Sequence, residues 1–476
     1  MRHYFGELLL IHGWLPVITQ LATAALVLIA LSGCVQRWRT LILPGLVVGA
    51  ALALAAYWYL GSLGVAGDPA PSWLWLWIAG AGLTVVLVAA GWTGARWWRR
   101  ALAMAAVPLC VLCAGLSMNA WIGYLPTVHS AWSRLTSAPV PGQVDRGTVL
   151  AMQLAGVQPP AGVITPVTIP VGASGFRHRT ELVYLPPAWF GHDPAPRLPV
   201  VLMVGSALNT PADWVWAGHA AQSADDFAAL HGGNAPVLVF ADATGAFNND
   251  TECVNGSRGN AASHLVEDVV PYMVSNFRVS PDRHNWGIAG WSMGGTCALD
   301  LTVMHPETFT TFVDIAGDAS PNTGDKAHTV SNLFGGSIDA WSRFDPATVI
   351  SGHGQYTSVA GWFDIPGGSG HRLRTATGIG SVSDSPHDRL ANPEGQDAAA
   401  NSLCRLASAH GIRCAVSTQP GRHDWPFAAQ AFDAALPWLA GRLGTPQTPR
   451  IALPGLESEH AATVNASGPL HPAEGR

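Results

Sequence analysis

Lysine is almost missing from this chain: Lys326 is the only one in 476 residues, and charged side chains make up 12% of the total. Acids are scarce in the first quarter. Residues 1–125 hold only Glu7 and Asp68 of the 31 acidic residues, but six of the 25 basic ones. The remainder carries 19 basic against 29 acidic residues, or −10. That excess excludes the basic footprint that binding to nucleic acid requires. No HExxH motif and no pair of CxxC motifs occurs, so neither a metal site nor a cofactor is expected. No internal repeat is present.

The early part contains long apolar runs. Four of them, Leu15–Leu31, Leu41–Leu63, Trp73–Trp92 and Ala101–Tyr124, approach or exceed the roughly 20 residues that cross a bilayer. Four in succession with short polar breaks argue against buried core helices, and against a cleaved leader for the first. Arg37 and Arg39 follow the first run, and Arg96, Arg99 and Arg100 lie between the third and fourth. GDPAPS at 67–72 has no basic residue. Basic loops stay in the cytoplasm. The N-terminus, the second loop and everything after Tyr124 are therefore expected outside it. Trp73, Trp75, Trp97, Trp98 and Trp121 sit near span ends, where indole rings favour the interface. No Asp, Glu, Lys or His lies in the middle of a run, so a transport path is not indicated. Residues 1–125 are expected to be a four-span anchor in contact with the lipid bilayer.

SAPVPGQ and GVQPPAG mark 126–160 as an irregular linker. Short runs rich in β-branched residues follow: Val163–Val171, Glu181–Leu185, Leu198–Val204, Pro236–Ala241, Trp286–Ala289, Thr310–Ile315, Tyr356–Phe363 and Arg413–Thr418. The first two are close enough to pair as a hairpin. Helical patterns near 212–230, 261–277, 293–305, 396–410 and 426–443 separate the later ones. Alternation of this kind predicts an α/β fold over 161–444, with a mostly parallel sheet flanked by helices. From Thr445 the chain is rich in Pro, Gly, Ser and Glu, and 445–476 is expected to be a disordered tail.

The sequence GIAGWSMGGTCAL at 287–299 sets Ser292 between an apolar strand pattern and a helical one, flanked by Gly290 and Gly294. A G-x-S-x-G turn in that setting holds a nucleophilic serine on a strained bend above the sheet. The hydroxyl needs a base. His423, in GRHDWPF after the last strand, fits that role. An acid should follow the preceding strand and hold the imidazole. Asp364 stands there, with Glu394 and Asp397 as alternatives beyond a glycine-rich insertion at 366–392. The backbone N–H of Met293, after the serine, is expected to bind an oxyanion. Ser206, in VLMVGSALNTPADW after the third strand, is the expected second donor.

GWSMGGTCAL, GRHDWPF and VLMVGSALNTPADW together resemble the esterase D and mycolyltransferase branch of the α/β-hydrolases over residues 160–443. The resemblance implies an α/β-hydrolase, an acyl ester substrate, Ser292 as nucleophile and His423 as base. The insertion near the acid departs from the family's pattern. The four-span region is not shared with the secreted mycolyltransferases and is similar to the membrane-anchored actinobacterial forms. The reading that follows is an extracytoplasmic serine esterase or acyltransferase. A binding or scaffolding module on the same fold is the alternative, and it would have lost part of the triad.

Outside the spans lie Cys253, Cys297, Cys404 and Cys414. An even number in an oxidising compartment permits two disulfides, Cys253 with Cys297 and Cys404 with Cys414, or four buried thiols. Cys34, Cys110 and Cys113 lie in or beside spans and read as apolar filler.

Overall fold

The computed structural model describes residues 8–32, 38–62, 70–91, 97–136, 138–191, 195–246, 248–367, 372–375 and 395–455. The chain forms two compact units. One comprises 1–139 with the short pieces 323–328 and 424–426. The other comprises 140–322, 329–423 and 427–476.

The first unit contains four long helices: α1 (Trp14–Ser32), α2 (Leu43–Ser62), α3 (Ser72–Gly91) and α4 (Trp97–Ile122). All four are long and apolar enough to cross a membrane. Their outer faces show Leu54, Trp58, Leu76 and Val111. A helix apolar on every side needs an apolar surrounding. Small residues let two of the backbones meet. A Cβ on Gly49 would lie 2.3 Å from the Ala79 carbonyl oxygen, and one on Gly82 would lie 2.8 Å from Gly49 Cα. Small residues at the contact let the two helix axes approach closely. Arg99 and Arg100 belong to the first turn of α4 rather than to a loop. Leu63, Arg37, Arg96 and Cys34 lie outside the described residues.

The expected linker is not irregular throughout. Thr127 caps a helix α5 (Val128–Leu135) with a capping box, and Asp145 caps α6 (Arg146–Leu154). Val149 of α6 is fully buried, so this helix belongs to the second unit's core.

The second unit is built on a sheet of nine strands among the described residues, in the order β1-β2-β4-β3-β7-β8-β9-β11-β10. They are β1 (Val163–Val167), β2 (Glu181–Leu185), β3 (Val200–Val204), β4 (Val237–Ala241), β7 (Trp286–Trp291), β8 (Thr311–Ile315), β9 (Ala360–Gly367), β10 (Arg372–Thr375) and β11 (Arg413–Pro420). β5 (Asn255–Gly256) and β6 (Gly259–Asn260) form a separate small ladder. β1 and β2 pair as the expected hairpin, and β10 is antiparallel to β11. β4, β3, β7, β8, β9 and β11 run parallel. Every residue of β3, β4, β7 and β8 is buried. Their apolar runs without alternation fit strands covered on both faces. The expected α/β-hydrolase architecture is present.

Flanking helices include α7 (Ala220–Leu230), α8 (Val270–Phe277), α9 (Met293–Met304), α10 (Lys326–Phe334), α11 (Ile338–Ser342), α12 (Pro346–His353), α13 (Gln396–Ala409) and α14 (Trp425–Leu443). Cys253 is bonded to Cys297 on α9, and Cys404 on α13 to Cys414 on β11, with Cα separations of 5.6 and 5.8 Å. The stretch from Thr445 is not wholly a tail. Thr445 N–H bonds the Ala440 carbonyl, and Leu453 is buried. Residues 456–476 lie outside the described residues.

Candidate active site

Parallel sheets take ligands at the carboxyl ends of their strands, where the strand order reverses direction. Here the chain moves from β3 outward to β4, then returns to place β7 on the other side of β3. The segments leaving β3 and β7 therefore border one crevice. They are the segment beginning Gly205-Ser206 and the bend at Ser292.

Ser292 has φ 58° and ψ −123°, a conformation hard for a residue with a Cβ. The strand before it, the helix after it and its N–H bond to the Ile315 carbonyl (2.9 Å) hold it there. The flanking glycines are needed for space. A Cβ on Gly290 would lie 1.8 Å from the Gly294 carbonyl oxygen, and one on Gly294 would lie 2.2 Å from that of Val204. Helix α9 thus starts hard against β3 and β7. Its first N–H groups have no acceptor within the helix, and Met293 supplies the first of them.

His423 follows β11, and its ring lies against Trp291, next to Ser292. The ring centroids are 5.3 Å apart and tilted by 42°. The histidine and the serine bend are thereby neighbours. Its Nδ1 faces the carboxamide of Gln396, with Nε2 at 3.1 Å and Oε1 at 3.2 Å. Gln396 is inconspicuous in the sequence because an uncharged side chain gives no acid–base signal. Only its position, opening the helix before the last strand, could have drawn notice.

Asp364 is elsewhere. Strand β9 begins and ends four residues later than expected, so Asp364 is its fifth residue, not one beyond its end. It shares a face with Trp362, and Trp362 packs on Trp438 of α14 at 5.9 Å. The carboxyl is fully buried and accepts a bond from Gln419, which in turn accepts from Gln430 of α14 at 2.8 Å. Burial pushes its pKa up to about 8, against the Gln419 bond that favours the charged form. Asp364 therefore sits beneath the last helix with a partner other than His423. Asp397 bonds Asn401 at 2.7 Å. Glu394 lies outside the described residues.

Ser206 also differs from expectation. Its N–H donates to Asn209 Oδ1 at 2.9 Å, and Asn209 N–H returns to the Ser206 carbonyl at 3.1 Å. The expected oxyanion donor is thus taken up inside its own turn. Arg179 braces that turn. Its guanidinium donates to the Asn209 carbonyl at 2.7 Å and forms a two-point pair with Asp242 at 2.7 and 3.0 Å. Burial alone would raise the Asp242 carboxyl, but Arg179 holds it below its ordinary value.

His178, Glu181 and His264 are the described residues grouped closely enough to hold a metal ion, with ligand atoms within 4.8 Å of one another. The two imidazoles are stacked, centroids 4.3 Å apart and planes 20° from parallel. Their in-plane lone pairs run side by side and do not converge on one ion, as tetrahedral ligation needs. His264 instead sets Nδ1 and Nε2 each 3.1 Å from a carboxylate oxygen, of Asp268 and Glu181. Burial lowers its pKa, but the two carboxylates outweigh that and raise it. The arrangement is a buried charge network.

Residues 176–439, more than half the chain, match the family model named Esterase and described as "Putative esterase". The chain belongs to this esterase family. An uncharacterized protein of Corynebacterium glutamicum is 29% identical over 314 residues, which are 65% of this chain and 65% of that protein. The match thus spans less than two thirds of the relative's length. Similar solved structures include an S-formylglutathione hydrolase from Agrobacterium tumefaciens (18% identical, 60% of this chain and 97% of that one, TM-score 0.46). A ferulic acid esterase is 17% identical over 59% of this chain and 99% of its own, with TM-score 0.44. MPT51 of Mycobacterium tuberculosis is 19% identical over 58% and 97%, with TM-score 0.39. Within the esterase family, the fold and the serine bend described above give this chain an esterase-type hydrolase domain.

Proposed function

We propose that this esterase-family protein is a membrane-anchored serine esterase or acyltransferase whose catalytic domain lies outside the cytoplasm. The observation that carries the reading is Ser292 at positive φ, on the bend between β7 and α9. Such a bend presents a hydroxyl to the crevice with helix N–H groups beside it.

In this reading His423 accepts the Ser292 proton as Oγ attacks the acyl carbonyl. The Met293 N–H stabilises the oxyanion, because its charge appears where a fixed donor already points. His423 then gives the proton to the departing alkoxide, leaving an acyl-enzyme. Water or a second alcohol releases the acyl group by the reverse sequence. Ser206 can join as second donor only if an oxyanion displaces Asn209 Oδ1 from its N–H.

Anchoring rests on α1 to α4, and the outside placement on Arg37, Arg39, Arg96, Arg99 and Arg100 with the two disulfides. A lipid-like or cell-envelope acyl ester suits an enzyme held at a membrane. The test is hydrolysis of p-nitrophenyl butyrate by the full chain in detergent. Replacing Ser292 by Ala should remove nearly all activity with melting unchanged. Activity that survives the replacement would sink the assignment and favour a binding module.

A further inference from the structure

We propose that Gln396 is a positioning residue for His423, a role that rests on the Ser292–His423 reading and deepens it. Gln396 opens helix α13, after Gly395 turns the chain at φ 74°. It is buried, at 2% exposure, so its carboxamide is confined by packing. That carboxamide meets Nδ1 edge-on at 3.1 to 3.2 Å. Trp291 lies against the imidazole as well.

Two orientations of the amide have opposite consequences. With Oε1 toward the ring, Gln396 accepts Nδ1–H. The proton then sits on Nδ1, and the Nε2 lone pair is left to take the Ser292 proton. With Nε2 toward the ring, Gln396 donates to Nδ1. The proton then sits on the imidazole Nε2, and no lone pair is available there. The productive orientation selects the tautomer in the way the carboxylate of a triad does. An amide differs from a carboxylate in carrying no charge. It orients the ring but adds little to the stability of the imidazolium formed when His423 takes the proton. A neutral amide in this place has a counterpart in the Cys-His-Asn arrangement of papain-like proteases.

The experiment uses the full-length protein in detergent, with p-nitrophenyl butyrate as substrate and Gln396→Ala and Gln396→Glu as variants. Gln396→Ala should lower kcat by about 100-fold, the lower end of what positioned acid–base groups contribute, and leave KM within about twofold. Gln396→Glu keeps the shape and adds a charge next to the ring. It should move the acidic limb of the kcat/KM profile upward by about one pH unit, because an adjacent anion favours the imidazolium. Melting temperatures of both variants and fluorophosphonate labelling of the wild type are read alongside. If both variants keep the wild-type kcat and pH profile, the inference is overturned. It is also overturned if Gln396→Ala loses activity only in step with its melting temperature while the Gln396→Glu limb stays in place. A wild-type chain that neither labels nor turns over ester would overturn the Ser292 reading itself, a different and separable result.

Discussion

Asp364 shows how burial decides what a carboxyl can do. A triad acid must be ionised and bonded to the histidine. Asp364 is bonded to Gln419 and held near half-protonation at pH 8. Its folded pKa lies above its unfolded value of about 3.9, so the native state keeps the proton longer than the unfolded chain does. The native state's advantage from this group is whole below about pH 4. It is lost progressively as pH rises toward 8. Asp364→Asn removes the titration with little change of shape. The variant should keep kcat within a few fold of wild type. It should also gain melting temperature relative to wild type at pH 8, and by more than at pH 5. Were Asp364 the triad acid, the same change would cost about 10⁴ in kcat, as wrong-tautomer variants do. Ser292 and His423, the proposed nucleophile and base, could be picked out from residue type and position because those two chemistries are conspicuous. Gln396, Asn209 and Arg179 could not, because their roles depend on which neighbour the fold brings to them.

The strands were legible as elements because each is a short apolar run rich in β-branched residues. Their ends were less so. β9 was expected to stop at Phe363 but continues through Asp364-Ile365-Pro366-Gly367, because β11 beside it offers a parallel partner as far as Pro420. That continuation is what removes Asp364 from the strand's end. Helices α10, α11 and α12 escaped notice in a stretch of mixed polarity, although Ser337 and Asp345 cap two of them by bonding the N–H groups of Ala340 and Thr348. Helix α9, which follows Ser292, has a fixture of its own in the Cys253–Cys297 bond. Glu252 and Cys253, which lead into it, both have positive φ, so the bond holds a strained loop in place. Replacing both cysteines by Ser should lower unfolding free energy by about 2–4 kcal/mol, the usual range for a native disulfide. Denaturant unfolding of the variant against wild type measures this; equal stability would show that the bond does not constrain the chain.

For the whole molecule, the sequence separates an acid-poor, apolar quarter from an ordinary α/β domain, and the structure has a helical unit and a sheet-based one accordingly. The boundary was blurred because proline and glycine in 126–160 hide two capped helices. The proposed orientation rests on arginine and on the two disulfides: Arg37, Arg39, Arg96, Arg99 and Arg100 should all face the cytoplasm. An alkaline phosphatase reporter fused after Arg450 should be active, and one fused after Arg100 inactive. The reverse pattern would put the esterase domain inside the cell and remove the setting in which its disulfides form.

The central claim is an activated Ser292, and intact-mass analysis after a fluorophosphonate probe tests it most directly. The full chain in detergent should take up one adduct, and Ser292→Ala none. An unlabelled wild-type chain with a normal melting curve, or a labelled Ser292→Ala variant, would contradict the account.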